Sequence, residues 1–202
     1  MTSVVLLVRH AHTDAVGRII AGRAPGVPLS DAGRAQADHL GRALAVVPLA
    51  AIYTSPLERA VETARAIARY HSAPVREDPA LQEVDFGDWT GLTLSELDDI
   101  EGWRAFNTHR ATATIPGGEA PQTVQQRIVA AIDRLAAAHP GTTIALVSHG
   151  DVIRSAVLHV AGSSLDLYHR FEISPASITA VEVAGPSLRL LCVNNTHRGV
   201  SA

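Results

Sequence analysis

The run Val4-Val5-Leu6-Leu7-Val8 ends in Arg9-His10, and no other feature restricts the fold as much. Five consecutive apolar residues read as a strand buried on both faces, well short of the ~18 that mark a membrane span. Strands buried on both faces belong to parallel sheets covered by helices, and ligands bind beyond the carboxyl ends of such strands. The chain therefore leaves its first strand with an imidazole and a permanent cation where α/β proteins do their chemistry. A second run, Thr143-Ile144-Ala145-Leu146-Val147-Ser148, ends in His149-Gly150. Two strand-terminal histidines point to one site with two imidazoles.

Between these runs, strand and helix patterns alternate, which predicts an α/β fold: three layers, α/β/α, around a mostly parallel central sheet. The 202 residues suit a single domain spanning 1–202. Strands are expected at about 3–9, 51–54, 74–77, 142–148, 176–183 and 187–193. The first helix opens after Ser30 as N-cap and runs to about Val46. Ser55-Pro56-Leu57-Glu58 predicts a second helix with Ser55 as cap and Pro56 at its first position, running to about Tyr70. A long helix is expected from Glu119 or Pro121 to about His139, and another over 150–161. Residues 84–118 hold five glycines and both tryptophans. They read as an excursion over the sheet edge, a lid on the site, with one short helix near Thr93–Ile100.

Composition narrows the chemistry. A net charge of −3 favours neither nucleic acid nor an anionic membrane as partner. All 17 basic residues are arginine, so a Walker-type phosphate loop, a Schiff-base lysine and a carboxylated-lysine metal bridge are excluded. Any anion site must be built from Arg, His and backbone amides. The single Cys192 permits no internal disulfide, in keeping with a cytoplasmic protein, and its apolar strand-like setting reads as a buried structural thiol. The N-terminus carries no charged-then-apolar signal.

The candidate site gathers at the strand ends. Arg9 and His10 close the first strand, Arg59 lies in the first turns of the helix after the second, Glu83 follows the short third, and His149 closes the late strand with Gly150 opening the next helix. Two arginines, two histidines and a helix N-terminus make an anion site, and a phosphoryl group suits guanidinium forks. Glu83 would repel that group when ionised; protonated, it serves as general acid for the leaving oxygen. Strand-like alternation adds His12 as a substrate contact, while Trp103, Phe106, His109 and Arg110 form either a specificity wall or stabilising packing. Trp89 reads as packing. His10-x-His12 is also similar to the first metal ligands of barrel amidohydrolases, but the chain is short for a (β/α)₈ barrel and lacks the bridging lysine.

Six ordered motifs carry a resemblance. They are Leu7-Val8-Arg9-His10-Ala11-His12-Thr13, Leu29-Ser30-Asp31-Ala32-Gly33 and Tyr53-Thr54-Ser55-Pro56-Leu57-Glu58-Arg59. They continue with Leu81-x-Glu83-x-x-x-Gly87-x-Trp89-x-Gly91, Pro116-Gly117-Gly118-Glu119 and Val147-Ser148-His149-Gly150. The chain resembles the histidine phosphatase superfamily, also called phosphoglycerate-mutase-like. The resemblance implies a phosphohistidine on His10, phosphoryl oxygens held by Arg9, Arg59, His149 and the Gly150 amide, proton transfer by Glu83, and no metal or cofactor. The chain departs from the family at Ala11, usually Gly, and at Val16 and Gly22, often polar; Arg18 and Arg23 are the loop cations placed to substitute. The basic, tyrosine-bearing insertion of glycolytic mutases is missing. The expectation is a metal-independent phosphatase acting on small-molecule phosphate monoesters as a monomer or homodimer. The alternatives are a phosphomutase of the phosphoglycerate-mutase type and a weakly active phospho-ligand-binding module. Glu83 favours catalysis, because a pure binder has no use for a proton donor.

Overall fold

The computed structural model describes residues 1–196. Six strands, β1 (Ser3–Arg9), β2 (Leu49–Thr54), β3 (Val75–Glu77), β4 (Thr143–Ser148), β5 (Ile178–Ala184) and β6 (Ser187–Asn195), form one sheet in the order β3-β2-β4-β1-β5-β6. Pairing is parallel from β3 through β2 and β4 to β1, and antiparallel from β1 to β5 and from β5 to β6. The expected mostly parallel α/β sheet is therefore present. The helices are α1 (Asp31–Leu44), α2 (Glu58–Ala68), α3 (Leu94–Asp98), α4 (Glu101–Thr108), α5 (Pro121–Ala138) and α6 (Gly150–Val160).

The layering follows from the period-2 geometry of strands. Val5 and Leu7 of β1, with Ile144 and Leu146 of β4, pack into the core shared with α5 and α6. Leu6, Val8, Ala145 and Val147 point the other way, into the core shared with α1 and α2. The interiors of β1 and β4 are thus continuously apolar, Val4–Val8 and Ile144–Val147, because each face meets a helical layer, and each fully buried aliphatic side chain contributes roughly 1.5–3 kcal/mol. Among the described residues, no helix is long and apolar enough to cross a membrane.

Three local expectations need correction. Helix α2 starts at Glu58 with Leu57 as its N-cap, not with Ser55 as cap and Pro56 inside the helix. The Ser55 hydroxyl does accept the Leu57 N–H at 3.3 Å, but it also bonds the His149 ring, and Leu57 is still in a non-helical, extended conformation. The excursion holds two short helices rather than one. Thr93 caps α3 in a reciprocal capping box with Glu96, and Ile100 then adopts an extended conformation that separates α3 from α4. Cys192 is half-buried, because β6 is an edge strand that covers its core from one side only.

Two glycines set close approaches near the site. A Cβ on Gly33 would lie 1.9 Å from the His12 carbonyl oxygen, so only glycine lets the start of α1 press against the segment after β1. Gly87 has φ +48°, and a Cβ there would lie 2.1 Å from the Pro116 oxygen. This contact locks the two arms of the excursion together next to Glu83.

Candidate active site

Strand register brings the site together. Arg9 stands opposite Ser148 in the β1–β4 ladder, and hydrogen bonding continues one step past the strands. The His10 N–H donates to the Ser148 carbonyl at 2.9 Å, and the Ser55 N–H to the Val147 carbonyl at 2.9 Å. The residues following β1, β2 and β4 therefore converge at one point. The His10 and His149 ring centroids lie 5.1 Å apart.

His10 is buried with one of its ring nitrogens already committed. It is 4% exposed, and its Nδ1 lies 2.7 Å from the Ala11 carbonyl. A carbonyl only accepts, so Nδ1 carries the proton and the Nε2 lone pair is left for the cavity that His10 lines. Burial, followed by the Arg59 and Arg9 guanidiniums, holds its pKa well below the ordinary 6.5. The imidazole is therefore neutral at physiological pH.

Around it stand buried donors with no partner among the described residues: Arg9 Nε, Arg59 Nη1 and His149 Nδ1. Each guanidinium is held by other atoms. Arg9 Nη1 donates to the Ile173 carbonyl, and Arg59 Nη2 to the Gly22 carbonyl at 2.8 Å. Burial lowers both arginine pKa values, opposed by the charge of Glu83, yet guanidinium remains cationic. His149 is fully buried, and burial with the Arg59 charge keeps it neutral. Its Nε2 lies 2.8 Å from Ser55 Oγ. Buried donors left unpaired cost roughly 1–3 kcal/mol each, so the arrangement is complementary to an anion able to accept from all of them. Helix α6 begins at Gly150 without a side-chain cap, which leaves its first N–H groups open. A Cβ on Gly150 would approach Arg9 Nε to 3.2 Å, so glycine gives that side chain room.

Glu83 lines the same cavity as His10 and is partly exposed on that side. Burial, reinforced by the charge of Asp151, pushes its carboxyl up to about 7, against the opposing pull of the Val84 N–H, Arg59 and Arg9. Near neutral pH it carries a proton about half the time. Its backbone is bracketed: the Glu83 carbonyl accepts from Arg23 Nε at 2.9 Å and Arg127 Nη2 at 3.2 Å. Both arginines also hold Glu119, Arg23 Nη2 at 2.8 Å and Arg127 Nε at 2.8 Å.

The cavity has a volume of about 270 Å³ and contains Arg9, His10, Arg59 and Glu83. His149 and Gly150 are not among the residues lining it; His149 packs beside the His10 ring and Gly150 against the Arg9 side chain. Arg23 is committed to Glu83 and Glu119 and does not line the cavity; nor does Arg18, whereas Val16 does. His12 bonds Ser30 Oγ through Nδ1 at 3.2 Å and sits at the start of α1, off the cavity wall. The strand has ended at Arg9, so alternation no longer applies there. Of the suggested wall, Trp103 and Arg110 line the cavity, Phe106 lies buried beneath them, and His109 turns outward to Thr108. Trp89 is buried in the core against Trp103 and Phe106. Ser55, Arg127, Asp151, Arg154 and Tyr168 were not anticipated as parts of the site.

Comparison with known proteins agrees with this geometry. The chain is 37% identical over 157 residues to phosphoglycerate mutase-like protein 4 of Arabidopsis thaliana, covering 75% of this chain and 68% of the relative. It is 29% identical over 197 residues to the adenosylcobalamin/alpha-ribazole phosphatase of Escherichia coli K12, covering 96% and 97%. The solved structure of Bacillus stearothermophilus YhfR superposes with a TM-score of 0.90 at 30% identity, over 96% of this chain and 97% of that one. The model of the histidine phosphatase superfamily (branch 1) matches residues 5–196, and the chain belongs to that family.

Proposed function

We propose that this protein is a phosphomonoesterase that hydrolyses small phosphate esters through a phosphohistidine on His10. The observation that carries this reading is the ring of three unpartnered buried donors, Arg9 Nε, Arg59 Nη1 and His149 Nδ1, around a neutral imidazole whose tautomer is set by Ala11. The first step forms a bond from His10 Nε2 to phosphorus and breaks the bond from phosphorus to the ester oxygen. Glu83 gives its proton to that oxygen as it leaves. Glu83, now a carboxylate, takes a proton from water as the water oxygen attacks phosphorus. The nitrogen–phosphorus bond then breaks, its electron pair returns to His10, and inorganic phosphate departs. Arg9 and Arg59 balance the charge on the equatorial oxygens in both steps.

Relatives named as phosphatases span nearly the whole chain, which favours transfer to water over transfer to a second hydroxyl. The test is hydrolysis of p-nitrophenyl phosphate in the presence of EDTA by the wild type and His10→Ala. Turnover that survives the chelator and vanishes in the variant supports the reading; turnover that EDTA abolishes, or that His10→Ala retains, overturns it.

A further inference from the structure

Helix α1 carries a side chain that acts on the His10 ring without touching it. Gly33 lets the start of α1 press against the His12 carbonyl, and Gln36, one turn on, lies on the same face of the helix. Gln36 Oε1 accepts the His12 N–H at 3.0 Å, and its Nε2 donates to the Pro175 carbonyl at 3.0 Å. The orientation of this amide is forced, because a backbone N–H only donates and a carbonyl only accepts. The His12 N–H belongs to the same peptide unit as the Ala11 carbonyl, which accepts the His10 Nδ1 proton across 2.7 Å. One line of hydrogen bonds therefore runs from the His10 ring through the Ala11–His12 peptide to Gln36 and on to Pro175. The preceding peptide is fixed as well: the Ala11 N–H donates to Thr63 Oγ1 at 3.0 Å, and the His10 carbonyl accepts the Ala176 N–H at 3.2 Å.

We propose that Gln36 is a positioning residue for His10, fixing the Ala11–His12 peptide so that the ring keeps the tautomer and orientation that aim Nε2 at phosphorus. This rests on the phosphohistidine reading and adds to it a residue that does not line the cavity. A peptide whose N–H is already donating has a more polarised carbonyl, so bonds in line strengthen one another. The proton is thereby held on Nδ1 through both steps: Nε2 attacks with its lone pair, and the ring leaves phosphorus with Nδ1 still protonated. A staple between α1 and the segment before β5 would need only the bond to Pro175. The bond to the His12 N–H is the one that serves the ring, and glutamine supplies the acceptor and the donor from one head group.

The experiment reads the ring directly. Protein carrying ¹⁵N-labelled histidine is examined by NMR at neutral pH, the His10 signals being those lost in His10→Ala. The proposal expects a single tautomer in the parent protein, protonated on Nδ1 and bare on Nε2. Gln36→Met, close in length but without the acceptor or the donor, should show a mixture of both tautomers. Its kcat should fall about 10–100-fold on alkyl and aryl esters alike, with the inhibition constant of inorganic phosphate within about twofold of the parent. Gln36→Glu, which keeps an acceptor for the His12 N–H, should hold the parent tautomer and retain more of kcat than Gln36→Met. A merely structural glutamine leaves the parent tautomer in Gln36→Met, which overturns the proposal whatever the rate. A parent ring protonated on Nε2 also overturns it and needs no variant to fold. Failure of the phosphatase reading shows separately, as absence of phosphate release by the wild type from every ester, while the ring signals still decide the role of Gln36.

Discussion

His149 takes its hydrogen bond from Ser55, Nε2 to Oγ at 2.8 Å, and this pairing decides which ring nitrogen of His149 can serve the site. Ser55 Oγ accepts the Leu57 N–H at 3.3 Å, and His149 Nε2 is the one acceptor within reach of its own proton among the described residues, so that proton goes to His149 Nε2. The remaining proton of the neutral ring is then on Nδ1, the buried atom without a partner among the described residues. Replacing Ser55 with Ala frees the tautomer and removes one buried bond. kcat should fall about 5–30-fold, the equivalent of one hydrogen bond to a developing charge. Steady-state kinetics check this, and an unchanged kcat would show that the serine does not set the ring.

Glu83→Gln separates the acid role from a merely electrostatic one. Esters whose leaving oxygen is an alkoxide should slow about 10²–10⁴-fold. p-Nitrophenyl phosphate, whose leaving group departs with little protonation, should slow far less. Parallel assays on an alkyl and an aryl ester read the difference; an equal loss on both removes Glu83 as proton donor.

The pH dependence follows from the same two groups. His10 titrates well below 6.5, so it is neutral above that value and sets only a low-pH limb. Glu83 must be protonated and titrates at about 7, so kcat/KM for alkyl esters should decline as pH rises through 7. Stability shows the sign independently. The folded-state pKa of Glu83 is raised from 4.5, so its favourable contribution is complete below 4.5 and lost as pH rises through about 7. Glu83→Gln should therefore exceed the wild type by on the order of 2 kcal/mol at pH 8, with no such advantage near pH 4. Denaturant melts at the two pH values measure it. A variant less stable than the wild type at pH 8 contradicts the account.

Arg127 acts at one remove from the chemistry. It holds the Glu83 carbonyl at 3.2 Å, the Ala80 carbonyl at 2.7 Å and the Glu119 carboxylate at 2.8 Å. Arg127→Met should lower kcat on alkyl esters about tenfold, leave KM within about twofold, and spare aryl esters, because it displaces the acid rather than the phosphoryl cradle. A loss equal for both ester types would show general destabilisation instead.

The pieces of the site that were legible in the sequence are those announced by strands. Arg9, His10 and His149 follow unbroken apolar runs, and a parallel sheet leaves their carboxyl ends on one edge. Arg59 and Glu83 are legible from their places just after the second and third strands. The unforeseen residues are held by contacts with no local pattern. Arg127 reaches Glu83 across 44 positions, and Asp151 meets Arg110 across 41. On its helix, Arg127 has the sequence profile of an ordinary surface arginine. Ser-Pro-x-Glu is a good helix start in its own right, so Ser55 reads as a cap, and only the approach of β4 reveals the competing partner. Strand alternation places His12 at the site, but the strand ends at Arg9 and the ring bonds Ser30; Arg23 reads as a substitute for the missing polar loop residues, but it is drawn to Glu119.

The most direct measurement traps the intermediate. The protein is mixed with a ³²P-labelled ester, quenched in alkali during turnover, and digested for mapping. The account predicts label on His10 that withstands alkali, is released by acid as a phosphoramidate must be, and is absent from His10→Ala. Turnover at full rate with no label on the protein, or label on any other residue, would contradict it.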